Sequence, residues 1–184
     1  IENPFSNNDI NQGIKVLKSK QLTISKKTTN FEKDFSIKLK SKHSLMVNSG
    51  SSANLLALQC LINPYRKNRL KKGDEVIIPT LCWSTSLWPI IQSNLKPVFI
   101  DINPLTLNIN EKEIEKKITK KTKAILLVHV LGNSCNMEQL MKIKKKHNLL
   151  LIEDTCESLG TKYKGKFLGT FGEFSSFSFY SSHQ

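Results

Sequence analysis

Apolar runs of five to seven residues recur along the chain at roughly 25-residue spacing, with helix-patterned segments between them. "SLMVN" (44–48), "DEVIIP" (74–79), "KPVFID" (96–101), "KAILLVH" (123–129), "LLLIED" (149–154) and "FSSFSFY" (174–180) read as strands. Helices are expected at 51–62, 84–93, 110–118 and 137–147, the second kinked or shortened by Pro89. Several of the strands are apolar at successive positions rather than at alternate ones, so both faces of the sheet must be covered. That requirement, together with the alternation of strand and helix, predicts a three-layer α/β/α fold around a mostly parallel sheet. Two more helical segments, 8–19 and 29–42, form an expected N-terminal arm over residues 1–43, which leaves 44–184 as the sheet-bearing domain. In open parallel sheets, ligands bind outside the carboxyl ends of the strands, so the informative residues are those that follow each run.

At 184 residues, 39% hydrophobic and 23% charged, the chain can bury a core and is not disordered by composition. The formal charge is +13, but 26 lysines stand against two arginines, Arg66 and Arg69. Bidentate readout of bases favours arginine, and these lysines are dispersed in runs such as "KKITKKTK" and "KIKKKHN" that suit solvated faces. Anionic metabolites are therefore expected as partners in preference to nucleic acid. No apolar stretch reaches the length of a membrane span, and "IENPFSNNDI" lacks an initiator methionine and any leader pattern. The four cysteines (Cys60, Cys82, Cys135, Cys156) have no CxxC spacing and are expected as free thiols in a reducing cytoplasm, with no metal site.

Four segments carry candidate chemistry. In "VNSGSSANLLAL" a glycine turn leads into a helix at Gly50, Ser51 and Ser52, whose free amides and hydroxyls suit an anion; an ordinary serine cap is the plainer reading. In "IIPTLCWSTSLW" the Trp83 indole follows a strand and can stack on a flat ring, or simply pack; Trp88 is the better core candidate. "LLLIEDTCESLG" ends a buried strand on Glu153 and Asp154, where a carboxylate is costly unless it meets a cation or donor. In "SFSFYSSHQ" the last strand carries Ser178, and His183 follows five residues later, placed to serve as a base or as a structural side chain.

Each signal is weak alone, yet their order and spacing resemble a known family, the DegT/DnrJ/EryC1/StrS sugar aminotransferases of the vitamin-B6 enzymes. Its members share NSG[TS]xA, a strand ending in IED, and GTFGD before the last strand; this chain has "NSGSSA", "IED" and "GTFGE". The resemblance runs from "NPFSNNDINQGIKVLKSKQLT" to "FSSFSFY" and implies the large domain of the fold type I pyridoxal-phosphate transferases. It implies that Gly50, Ser51, Ser52 and Ser178 hold a cofactor phosphate and that Trp83 stacks on the pyridine. By the same resemblance Asp154 pairs with the ring nitrogen, so that the ring can accept electrons.

Two departures refine the expectation. Family aminotransferases carry SFxPTK after the last strand, and the lysine tethers the cofactor; here that position is His183, and no lysine occurs in 167–184. Histidine cannot form an imine, which implies resting pyridoxamine 5'-phosphate rather than tethered pyridoxal 5'-phosphate. Three residues after Asp154 the aminotransferases have Gln or His, whereas this chain has Glu157, which the resemblance places among the cofactor-binding residues. Both differences resemble the subgroup of nucleotide-sugar 3-dehydratases, which act on 4-keto-6-deoxyhexoses with histidine as base. The alternatives are a nucleotide-sugar aminotransferase and a non-catalytic cofactor or sugar binder. The cysteine spacing does not match the iron–sulfur cluster of some subgroup members, and whether a reductase partner takes part stays open. The resemblance further implies a homodimer, a missing C-terminal small domain, and hence an incomplete, inactive fragment.

Overall fold

The computed structural model describes residues 5–23, 25–180 and 183. Ile1–Pro4 and Ile24 of the expected arm, and Ser181, Ser182 and Gln184 around His183, lie outside the described residues. The chain divides into two compact units, Ile1–Met46 and Val47–Gln184.

The first unit holds α1 (Asn7–Ser19) and α2 (Lys26–Leu39). Helix α1 starts at a reciprocal cap: the Asp9 amide donates to Ser6 Oγ, and the Ser6 amide donates to Asp9 Oδ2. Residues 44–48, expected as a strand, are not one. A strand exists only through its ladder, and this segment has no strand partner among the described residues; its Met46 amide donates instead to Glu32 Oε1 at 2.8 Å.

The second unit runs α3 (Gly50–Ile62), β1 (Glu75–Pro79), α4 (Ser84–Gln92), β2 (Lys96–Ile100), α5 (Glu111–Lys117), β3 (Thr122–Val128), α6 (Met137–His147) and β4 (Leu150–Asp154). It continues through β5 (Lys162–Tyr163), β6 (Lys166–Phe167) and β7 (Phe174–Ser176). Five strands form one parallel sheet in the order β2-β1-β3-β4-β7. Side chains alternate across it. Val76, Ile78, Leu126 and Ile152 face one layer with Leu58, Leu61 and Ile90 of α3 and α4. Ile77, Ile125, Leu127 and Leu151 face the other with Ile114, Leu140 and Ile143 of α5 and α6. Each fully buried aliphatic side chain contributes about 1.5–3 kcal/mol, so two such layers carry the stability of the unit.

Three elements differ from expectation for local reasons. The last strand stops at Ser176, not Tyr180, because its neighbour β4 ends at Asp154, opposite Ser176. Pro89 sits inside α4 without ending it; having no N–H, it leaves the carbonyl of Thr85 without a helical donor. The antiparallel pair β5–β6 was not anticipated, although its signal is present: Lys164 (φ 48°) and Gly165 (φ 82°) form the two-residue turn with both φ positive that closes hairpins. Trp88, expected in the core, is 55% exposed, because α4 turns Ser86, Pro89 and Ile90 inward instead.

Candidate functional site

Strand β4 ends in two consecutive carboxylates, and the alternation of side chains sends them to opposite faces. Asp154 follows Ile152 onto the α3–α4 face; Glu153 follows Leu151 onto the α5–α6 face. Their surroundings separate their roles.

Asp154 is 5% exposed and accepts four hydrogen bonds. Its Oδ2 takes Asn54 Nδ2 at 2.8 Å and the Ser86 hydroxyl at 2.7 Å; its Oδ1 takes the Cys156 amide and the Ser176 hydroxyl, both at 3.2 Å. These donors come from α3, α4, the residue after next in the chain, and β7. A single carboxylate thus gathers the carboxyl edge of the sheet and the starts of two helices. Asn54, Ser86 and Ser176 were not legible as site residues. Their one signal is polarity within apolar segments, and only the fold shows that they converge. Asn54 is 1% exposed, and its Oδ1 has no hydrogen-bond partner among the described residues. An unmatched buried acceptor costs roughly 1–3 kcal/mol, so the amide holds this orientation for its Nδ2 bond to Asp154.

The start of helix α3 is the candidate anion end. Ser49 caps it by accepting the Ser52 amide at 3.1 Å and donates its own hydroxyl to Ser52 Oγ at 3.2 Å. The Gly50 and Ser51 amides are left at the free N-terminal end, with the positive end of the helix dipole behind them. A Cβ on Gly50 would stand 3.0 Å from Cys156 Sγ, so this end of α3 abuts the segment that carries Asp154. The Cys156 thiol is pushed up out of the usual thiol range, first by burial and then by the Asp154 charge. Cys82, half-buried, is raised for the same two reasons in the same order.

The other expected residues occupy the same edge with fewer ties. Trp83 is the N-cap residue of α4 and 67% exposed, its ring available to a ligand face. Ser178 lies beyond β7 rather than on it, and its Oγ accepts the Tyr180 amide at 3.1 Å. The His183 amide donates to the Tyr180 carbonyl at 3.0 Å, and its ring stands edge-on to Tyr180 at 5.3 Å. Its Nδ1 is buried with no partner among the described residues. Glu157 is engaged elsewhere: its Oε2 accepts the Leu131 amide at 2.8 Å, on the connection between β3 and α6.

Glu153, fully buried, is an internal clamp. Its carboxylate accepts the amides of Phe171 and Gly172 at 2.7 Å and of Gly169 at 2.9 Å, and meets His129 Nε2 at 3.3 Å. The Cys135 amide donates to His129 Nδ1 at 3.2 Å, which puts the ring proton on Nε2, directed at Glu153. Glu153 therefore holds the "GTFG" loop that delivers β7 and Ser176 to Asp154.

The residues fit a flat, cationic ring with an anionic arm. A buried acceptor stands at one end, free helix amides at the other, and an exposed indole on the same edge. The sequence profile of the DegT/DnrJ/EryC1/StrS aminotransferase family matches residues 5–184. The chain is 43% identical over 169 residues to a GDP-4-keto-6-deoxy-D-mannose 3-dehydratase of Escherichia coli O55:H7, an alignment covering 91% of this chain and 43% of the relative. It is 41% identical over 152 residues to a GDP-perosamine synthase of Escherichia coli O157:H7, covering 83% and 40%. Among solved structures, an E. coli GDP-4-keto-6-deoxy-D-mannose-3-dehydratase with bound hydrated PLP superposes with a TM-score of 0.88 at 39% identity, over 93% of this chain and 44% of that one. The chain thus spans less than half the length of the curated relatives it matches. With the IED strand, the GTFG loop and the capped α3 in their places along the whole chain, the protein belongs to the DegT/DnrJ/EryC1/StrS aminotransferase family.

Proposed function

We propose that the full protein is a pyridoxamine/pyridoxal-phosphate-dependent enzyme that removes the 3-hydroxyl of a nucleotide-linked 4-keto-6-deoxyhexose as water. The observation that carries this reading is Asp154, a buried carboxylate at the carboxyl end of β4 held by donors from α3, α4 and β7. When bound, the cofactor supplies an amine that condenses with a ketone and a pyridinium ring that withdraws electrons.

The chain's own residues take the remaining roles. Asp154 accepts the ring N–H and keeps that proton in place, while its four donors prevent the carboxylate from rotating away. Gly50 and Ser51 would offer amides to the phosphate, and the Ser51, Ser52 and Ser178 hydroxyls would be its further donors. Trp83 covers one face of the ring and excludes water from it. His183 is the candidate to carry and release the proton that must move, because it stands in place of the tethering lysine and its buried Nδ1 has no hydrogen-bond partner among the described residues. Glu157 acts at one remove, by fixing the 130–133 turn.

A histidine in place of the tethering lysine favours dehydration over amino transfer, while the similarity to a GDP-perosamine synthase keeps amino transfer as the rival. The test loads the full chain with pyridoxamine phosphate, adds GDP-4-keto-6-deoxymannose, and weighs the sugar product. Loss of the 3-hydroxyl is expected. Conversion of the ketone to an amine would overturn the reading in favour of the rival.

A further inference from the structure

We propose that Asn54 is a positioning residue that sets the separation between the phosphate end and the ring-nitrogen end of the site; the proposal rests on the cofactor reading above. Asn54 lies on α3, in the turn that follows Gly50–Ser52, so the backbone that presents the anion-binding amides also carries the Asn54 side chain. That side chain makes a buried 2.8 Å bond to Asp154 Oδ2, the same oxygen that Ser86 reaches from α4 at 2.7 Å. One hydrogen bond therefore ties the start of α3 to the carboxyl end of β4, two elements that touch different ends of the ligand.

Two further observations support the proposal. The amide keeps its donor on Asp154 although its buried Oδ1 has no partner among the described residues. Turned over, it would set its carbonyl oxygen against a carboxylate. On the α4 side, the Thr85 carbonyl that Pro89 leaves without a helical donor lies 3.5 Å from the same Nδ2, so the donor is placed between two acceptors.

A pyridine ring with a short phosphate arm has little freedom in its length. Binding both of its ends at once requires the two protein ends to stand at a matching distance, and each end gains from the other only while they do. Asn54 fixes that distance without touching either end of the ligand itself.

The test uses the full chain stripped of cofactor and compares Asn54→Ala and Asn54→Ser with the unchanged protein. Two ligands are titrated by calorimetry: pyridoxamine phosphate, which spans the site, and inorganic phosphate, which fills only the anion end. The expected result is a split, with pyridoxamine phosphate weakened roughly tenfold and inorganic phosphate unchanged. If both ligands weaken by the same factor, Asn54 merely supports the fold and the proposal is overturned; if neither changes, it is overturned as well. Asn54→Ser keeps a small polar group at the site and provides the same readout if Asn54→Ala does not fold. Failure of the unchanged protein to bind pyridoxamine phosphate at all would instead refute the cofactor reading.

Discussion

Asp154 and Glu153 are chemically near-identical neighbours with opposite duties, and only their hydrogen-bond partners tell them apart. Asp154 meets side-chain donors from several elements at the carboxyl edge of the sheet; Glu153 meets backbone amides of the GTFG loop. Asp154→Asn is expected to weaken pyridoxamine-phosphate binding roughly 10- to 100-fold, the value of one charge-assisted hydrogen bond, by absorbance titration of the full chain. Affinity within about twofold of the unchanged protein would remove Asp154 from the ring-nitrogen role. Thiol chemistry offers a second check at this scale. Burial raises the Cys135 and Cys156 thiols, so neither should react with iodoacetamide at pH 8 until the protein is unfolded, whereas half-buried Cys60 should label in the native state. Early labelling of Cys156 would show that the floor of the site is open.

Among the elements, the loop before β7 is the one most tightly specified. Three amides converge on Glu153, and Gly172 has no room for a side chain, since a Cβ there would lie 2.4 Å from the Leu151 carbonyl oxygen. Gly169 adopts φ 80° with Phe177 against it, a position where any side chain is both strained and obstructed. Glu153→Ala leaves three half-buried amides without their acceptor and should cost about 3 kcal/mol, read as a lower denaturant midpoint. Because β7 pairs with β4 alone among the described residues, the same change should also loosen Ser176 from Asp154 and weaken cofactor binding. A destabilised variant that bound cofactor normally would show that the clamp does not reach the site.

For the molecule as a whole, electrostatics are one-sided, with +13 spread over exposed lysines. Two of the acids paired with lysines, Glu138 and Glu115, are held below their ordinary range. Glu138, hydrogen-bonded to Lys164 and Lys142, is lowered from its ordinary 4.5 to about 2, and Glu115 is lowered by Lys146 and His147. A lowered carboxylate contributes stability above its unfolded value and loses it as pH falls through the folded one. The melting temperature should therefore hold from pH 7 to about 5 and decline between about 4.5 and 2. These pairs are exposed and screened, so Glu138→Gln should flatten that decline only slightly, and less so at high salt. A Glu138→Gln variant whose acid profile matched the unchanged protein at low salt would show that the pair contributes nothing. Among the described residues, no helix is long and apolar enough to cross a membrane.

Much of this protein was legible before folding, because its signals are local. Strand runs apolar on both faces demand covered parallel strands, and four of the five sheet strands fall where the runs predict them. The IED tip, the NSGSSA turn and the missing lysine after "FSSFSFY" are likewise contiguous in the chain. What the sequence concealed is set by partners distant in the chain. Whether "SLMVN" becomes a strand depends on having a neighbour to pair with. Whether Trp88 is buried depends on which side of α4 meets the sheet. The side-chain donors on Asp154 lie 100, 68 and 22 residues away in the chain, and none is distinguishable from an ordinary Asn or Ser until the sheet's register brings it to the carboxylate. Alternation at β4 determines that Glu153 and Asp154 face opposite sides; only packing of α3 and α4 on one layer and the GTFG loop on the other decides which of the two gathers side-chain donors and which the loop amides.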